Sequence, residues 1–297
     1  RPPRSTLFPY TTLFRSINCA EHIIDTLLPS FVPFKVNDGD NPMLNINVNV
    51  NVNTDAPVPV SDVTLIRDID TGNGMTRVDR LANGGYQFLI RNVNGNECAR
   101  LTSTPTFSEC CCDILCTGDY QQFALNNALM IAYAFSAAQH QTLLLHASVI
   151  RYEGKAYAFT APSGTGKSTQ VANWLANIPG CDMINDDNPI IRIAPDGKPV
   201  LYGSPWSGKT PCYRNTSAPL GAIVKIDRDS HNHVSKMSPL QAFSTLLSAC
   251  STMKWDEEIY QDICSAISAV IERTGIFTLH CLPDAESAIV CRDNICR

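Results

Sequence analysis

No apolar run in this chain approaches the roughly 20 residues that a membrane-crossing helix requires, so no membrane partner is expected. Positive charge is also in short supply. The 23 Lys and Arg are outnumbered by 28 Asp and Glu, a formal net charge of −5. That balance argues against a broad nucleic-acid-binding surface, which needs a clustered excess of cations. The sequence as given does not open with the basic start and long apolar stretch of a secretory leader. A cytoplasmic protein is the expectation. At 297 residues, 44% hydrophobic and 17% charged, the chain holds enough apolar material for one large or two ordinary domains.

Cysteine is plentiful, but a framework for it is missing. The count is 13, an odd number. Cys250, Cys264, Cys281 and Cys291 fall in apolar helix or strand patterns and read as reduced core thiols. Cys110, Cys111, Cys112 and Cys116 form the one cluster. Cys112 and Cys116 have the spacing of half a metal site, yet no second half follows. Residues 1–16, RPPRSTLFPYTTLFRS, read as foreign. Residues 10–16 resemble the in-frame translation of a sequencing-adapter oligonucleotide, so the segment is set apart as a non-native tail.

Residues 17–118 carry β-type signals and are expected to form an antiparallel, β-rich N-terminal domain. In NINVNVNVN, at 45–53, Ile46, Val48, Val50 and Val52 share one face. Further strand patterns run over 63–67, 86–93 and 99–104, with turn signals at Asn83-Gly84-Gly85 and Asn94-Gly95-Asn96. A nearly all-apolar helix over 120–139 opens the second domain, 119–297.

That domain is organised around residues 155–177, KAYAFTAPSGTGKSTQVANWLAN. An apolar strand, a glycine loop and an amphipathic helix follow in the order of a phosphate-binding P-loop. Gly164 and Gly166 let backbone N–H groups face an anion, and the helix adds its positive end. Lys167 is placed to reach the β- and γ-phosphates and Ser168 to ligate Mg²⁺. The nucleotide-contacting set is Ser163, Gly164, Thr165, Gly166, Lys167, Ser168 and Thr169. Ala161 stands where the strict pattern has Gly. A second match, residues 203–210, fits the strict pattern better, but Pro211 and Pro219 block a following helix. It reads as an irregular loop. Lys209 and Arg214 are candidates for positive charge near a transferring phosphoryl group, a solvated basic loop being the other reading.

A strand over 142–150 turns near Tyr152-Glu153-Gly154 into the loop strand, which places His146 opposite 159–161, at the loop's mouth. Beyond the loop helix a short strand ends at Asp186 and Asp187. Carboxylates there supply the negative charge that Mg²⁺ and an attacking hydroxyl need. His231 and His233, in DSHNH, read as exposed turn residues with no third ligand near. Helices are expected over 239–250 and 256–273, with Ser238 capping the first and Gly275 ending the second.

His146 in a strand, a hairpin into APSGTGKST and then NDD before a strand resembles the HPr kinase/phosphorylase P-loop module, a relative of ATP-dependent phosphoenolpyruvate carboxykinase. The resemblance covers roughly 143–282. It implies an α/β class (α+β overall), an HPr-kinase-like P-loop core with a mixed sheet beside the β-rich domain. It implies ATP and Mg²⁺ as cofactors, with phosphoryl transfer to a hydroxyl on a protein, peptide or small metabolite. In that frame Lys167 and Ser168 hold ATP–Mg²⁺, Asp186 or Asp187 is the base or a metal ligand, and His146 sits near the γ-phosphate. Thr169 stands where HPr kinases usually carry Glu, and their downstream glycine-rich signature is absent. The likeness is therefore to stand-alone HPr-kinase-like proteins. A nucleotide-binding sensor or assembly module would keep the loop and need no base. An NTPase coupled to motion would need a water-positioning residue that the sequence does not identify.

Overall fold

The computed structural model describes residues 4–7, 15–19, 21–36, 42–50, 63–208 and 210–296. It is a mixed α/β protein with two mixed sheets, in two units, Arg1–Ala137 and Ala138–Arg297.

The first unit contains β1 (Arg4–Leu7), β2 (Arg15–Asn18), α1 (Glu21–Leu27), β3 (Lys35–Val36) and β4 (Leu44–Asn49). It continues with β5 (Val63–Asp70), β6 (Met75–Leu81), β7 (Tyr86–Arg91), β8 (Glu97–Ser103), β9 (Glu109–Ile114) and α2 (Tyr120–Ser136). The sheet order is β3-β1-β2-β4-β9-β8-β7-β6-β5. The segment set apart as a tail thus contributes β1 and the start of β2. β4 follows the alternation of its sequence, with Leu44, Ile46 and Val48 buried. On its wet face Asn45 and Asn49 donate to Glu109 and Asp113 at 2.9 and 2.8 Å. Val52 lies outside the described residues.

The purely antiparallel arrangement expected for this unit is not what forms: β4 runs parallel to both β2 and β9. The chain re-enters at the far edge as β5, and four antiparallel reversals bring β9 back beside β4 in the same direction. Three of the four clustered cysteines lie in β9, where Cys110 and Cys112 are buried and Cys111 faces the other side, and Cys116 follows the strand. Strand alternation keeps Cys111 from converging with its neighbours on one ion. Burial pushes the Cys110 and Cys112 thiols far above the usual range, as suits core groups. α2 packs on β7, β8 and β9, with Phe135 against Phe107 at 5.4 Å. The division therefore falls after Ala137, later than the boundary expected after residue 118.

The second unit contains β10 (Thr142–Leu144), β11 (Ala147–Tyr152), β12 (Lys155–Thr160), α3 (Lys167–Asn177), β13 (Asp182–Asp187), β14 (Ile190–Ile193) and β15 (Pro199–Tyr202). Then follow β16 (Ser217–Arg228), β17 (His233–Lys236), α4 (Pro239–Ala249), α5 (Glu257–Arg273), β18 (Gly275–Cys281) and α6 (Ala285–Ile295). The order is β10-β14-β15-β16-β12-β11-β13, with β18 pairing both β16 and β17. β16 runs parallel to both β12 and β18 and lies between them.

The strand expected over 142–150 is two strands. β10 pairs with β14, whereas β11 pairs with β12 and β13. The break falls where β13 gives way to β14 at Asn188-Pro189, and Pro189 has no N–H for a ladder. His146 occupies the break, its N–H donating to Ala249 O at 2.8 Å. Gly275 opens β18, and Thr274 is the C-cap of α5. Ser238 caps α4 in a full capping box with Gln241.

α3 is held through Trp174, fully buried against Tyr157 and Phe159 at 5.9 and 5.7 Å between ring centroids. Asn173 Nδ2 donates to Asp284 O at 2.7 Å, and Ser287 Oγ to Gln170 Oε1 at 2.9 Å, fixing α3 against α6. The site-bearing loop thus springs from a strand and a helix that share one core. All 13 cysteines are free thiols. No helix among the described residues is long and apolar enough to cross a membrane.

Candidate functional site

Residues 161–166 carry the chain from the end of β12 into α3. Gly164 and Gly166 have φ of +77° and +134°, and a Cβ added to either would meet nothing within 4 Å. The requirement for glycine is conformational, since side-chain-bearing residues rarely adopt these angles. α3 starts without a side-chain cap, so its first amides remain for an anion. Ser163, Ser168 and Thr169 are exposed around that start, with Thr165 half-buried. Lys167 Nζ donates to Ala161 O at 3.1 Å. Burial lowers the Lys167 pKa from its ordinary 10.5, against the opposing pull of Asp187 and Asp186.

Strand register delivers the other groups to the same edge. Ser148 of β11 faces Phe159 of β12 on one side and Asp186 of β13 on the other. β12 and β13 therefore run in one direction and end together. Thr160 Oγ1 donates to His146 O at 3.1 Å, which places the β10–β11 break beside the loop's root.

The two carboxylates differ in environment. Asp186 is 3% exposed. Ser148 Oγ donates to its Oδ1 at 2.5 Å and the Thr210 amide to its Oδ2 at 3.3 Å. Its carbonyl accepts from Gly208 N and from Ser207 Oγ. The irregular loop over 203–210 therefore folds back to satisfy Asp186, a role the sequence did not announce. Asp187 has a side chain 35% exposed, with Oδ1 3.6 Å from His146 Nε2. Asn188 Nδ2 donates to its Oδ2 at 2.7 Å. Its φ of +154° is costly for a residue with a Cβ and is held by a bridge to Ser207.

Burial raises the Asp187 pKa above 3.8, outweighing His146 and Lys167, which lower it. Burial and then Lys167 depress His146 below 6.5, with Asp187 opposing. At neutral pH His146 is therefore the neutral partner. Asp187, and not Asp186, is the carboxylate that solvent reaches.

Two other expectations fare differently. Lys209 lies outside the described residues. Arg214 donates through Nη1 to Asp182 Oδ2 at 2.6 Å and also to Met183 O. Arg151 binds the same carboxylate in a fork, at 2.9 and 2.7 Å. Arg214 thus belongs to an ion-paired brace at the opposite end of β13 from Asp187. Five residues of strand put it roughly 16 Å from the loop edge.

Arg228 was not singled out from the sequence. It ends β16 and donates through Nη2 to Gly164 O at 2.6 Å and through Nε to Thr165 O at 3.2 Å. Beside it lies a cavity of about 350 Å³, lined by Gly164, Thr165, Thr169, Arg228, Leu282 and Pro283 among others. A volume of that order accommodates a small-molecule fragment. The arrangement can hold an anion on helix amides, neutralise it with Lys167 and accept a proton at Asp187. No known family model matches the chain, and no curated protein matches its sequence.

Proposed function

We propose that the second unit is an ATP- and Mg²⁺-dependent kinase that transfers the γ-phosphoryl group to a hydroxyl of a protein, a peptide or a small metabolite. One observation carries this reading: the glycine loop, Lys167, His146 and the Asp186–Asp187 pair all lie at one sheet edge. A phosphate-binding loop alone needs no base beside it. The resemblance to HPr-kinase-like P-loop cores supports the same assignment.

In this reading the polyphosphate lies along the amides of 163–169 and the nucleoside occupies the cavity beside Arg228. The Ser168 hydroxyl would hold Mg²⁺, whose charge would offset that of the phosphates. Asp186 is too enclosed to be the first choice for that role. It keeps Asp187 and the 203–210 loop in place. Asp187 takes the proton from the acceptor hydroxyl. The hydroxyl oxygen then bonds to the γ-phosphorus as the bond to the bridging oxygen of ADP breaks. Lys167 leaves Ala161 O for the phosphate oxygens and stabilises the spreading charge.

The test is nucleotide binding and ADP formation by the full chain with Mg²⁺, across serine peptides and hydroxylated metabolites. Lys167→Ala should weaken ATP binding by about 10–100-fold, the worth of a charge-assisted hydrogen bond, and abolish transfer at an unchanged unfolding midpoint. Parental transfer by that variant sinks the assignment. Tight ATP binding with no ADP from any acceptor replaces the kinase with a nucleotide sensor.

A further inference from the structure

A second group of donors lies at the same sheet edge, and one of them, Asp229, also lines the cavity beside Arg228. β17 and β18 pair antiparallel with His233 directly opposite His280. Their rings stack, 4.4 Å between centroids and 9° between planes. β18 also pairs with β16, setting His280 against Asp227, and Asp229 N extends that ladder to Cys281 O at 3.2 Å. Asp229 stands two residues past Asp227 and so returns to the imidazole face. The sequence pairs His233 with His231 and offers no third ligand; the fold instead joins His233 to Asp229, from the turn before β17, and to His280 of β18.

Donor atoms of Asp229, His233 and His280 all lie within 4.8 Å of one another, the one such group among the described residues. We infer that these three side chains form a binding site for a borderline transition-metal dication of the Zn²⁺ class, with a fourth position left to water. Two imidazoles and one carboxylate are the donor set such ions take, and three protein ligands leave a tetrahedral ion open on one side.

The surroundings fit. In ligating histidines the second ring nitrogen typically donates to an oxygen. His280 Nε2 lies 3.5 Å from Ser235 Oγ, leaving Nδ1 toward Asp229 Oδ2 at 3.8 Å. His233 Nδ1 lies 3.4 Å from His231 O, leaving Nε2 as its ligand atom. Ser230 N and Oγ donate to Asp229 Oδ1, so Oδ2 is the oxygen available. The turn that carries Asp229 and His233 is pinned through Asn232. Its Nδ2 donates to Asp284 and Glu286, and its Oδ1 accepts from Leu282 N at 2.9 Å. A tetrahedral ion with these ligands sets donors about 3.4 Å apart and lies near the plane of each imidazole, so exposed His233 must turn out of its stack on His280, with a smaller shift of exposed Asp229, to close the set.

This inference does not depend on the kinase reading and is tested without nucleotide. The metal-stripped full chain is titrated with Co²⁺ while its visible spectrum is followed, and with Zn²⁺ against a chromophoric chelator. One ion per chain with a nitrogen- and oxygen-ligand spectrum is expected. His233→Ala and Asp229→Asn should each weaken Zn²⁺ binding by about 100-fold or more, beyond the loss typical of outer-shell changes. Both residues are exposed, so they carry the test even where the half-buried His280→Ala fails to fold. A thiolate-to-cobalt charge-transfer band places the ion on cysteines and overturns the inference. So does unchanged affinity in the His233→Ala/Asp229→Asn double variant, or no Zn²⁺ bound at micromolar concentration.

Discussion

Asp187 lies 3.6 Å from His146 and close to Lys167, yet burial holds its carboxyl above the ordinary range. Ionisation is therefore harder in the folded chain than in the unfolded one. Below the unfolded pKa both states are protonated and nothing is lost. As pH rises through the raised folded value, the penalty appears in full and remains at neutral pH. Asp187→Asn removes it. The variant should melt higher than the parent at pH 7 and level with it near pH 3, by calorimetry across that range. The same substitution should remove most phosphoryl transfer while leaving ATP binding intact, because the base is lost and the loop is not. The parental acid limb of the rate profile should fall as pH drops through a pKa above 3.8, the direction set by the burial of Asp187. Turnover by Asp187→Asn equal to the parent moves the base elsewhere. A residue that weakens the fold while serving chemistry is the stability–function conflict common to active sites.

At the scale of elements, the loop is shaped from below by its glycines and clamped from the side by β16. Arg228 spans Gly164 O and Thr165 O. Arg228→Ala should loosen the loop and weaken ATP binding by about 3–10-fold, the worth of one or two exposed charged hydrogen bonds. The unfolding midpoint should stay put, since Arg228 is exposed. Titration calorimetry reads the first and thermal melting the second, and unchanged affinity would show that the clamp is idle. This clamp also marks the limit of sequence reading. The strand–loop–helix unit, the β11–β12 hairpin and the Asp186–Asp187 strand end were legible because each is local: a period, a turn and a glycine pattern. The parallel pairing of β12 with β16 joins residues more than 60 positions apart, and nothing in the composition of β16 names its neighbour. Hence Arg228, Ser148 and the Thr210 amide went unread. Arg214 was a candidate for the site on its charge alone, with a solvated basic loop as the alternative, while its partner Asp182 lies 32 residues upstream. The split at His146 was hidden because residues 142–150 carry no glycine, proline or other turn signal, and only the change of partner strands interrupts the pattern.

For the whole molecule, the division of labour follows from where the chemistry sits. Every described residue of the candidate site, the 350 Å³ cavity and the three proposed metal ligands belong to Ala138–Arg297. That unit has its own core around Trp174, Phe159, Val224 and Leu279, all fully buried. A unit of roughly 160 residues is large enough to bury most of its apolar surface without help. Expressed alone, residues 138–297 should therefore melt in one cooperative step and bind ATP–Mg²⁺ within about threefold of the full chain, a difference under 1 kcal/mol. Near-ultraviolet circular dichroism from the packed tryptophans separates folding from binding in the experiment. A fragment that keeps that signal but binds no nucleotide would mean that the first unit contributes to the nucleotide site itself. A fragment that binds nucleotide yet no longer modifies an acceptor used by the full chain would assign acceptor recognition to residues 1–137. Either outcome is read from the same preparation, because binding needs only the loop edge whereas transfer needs the acceptor delivered to Asp187.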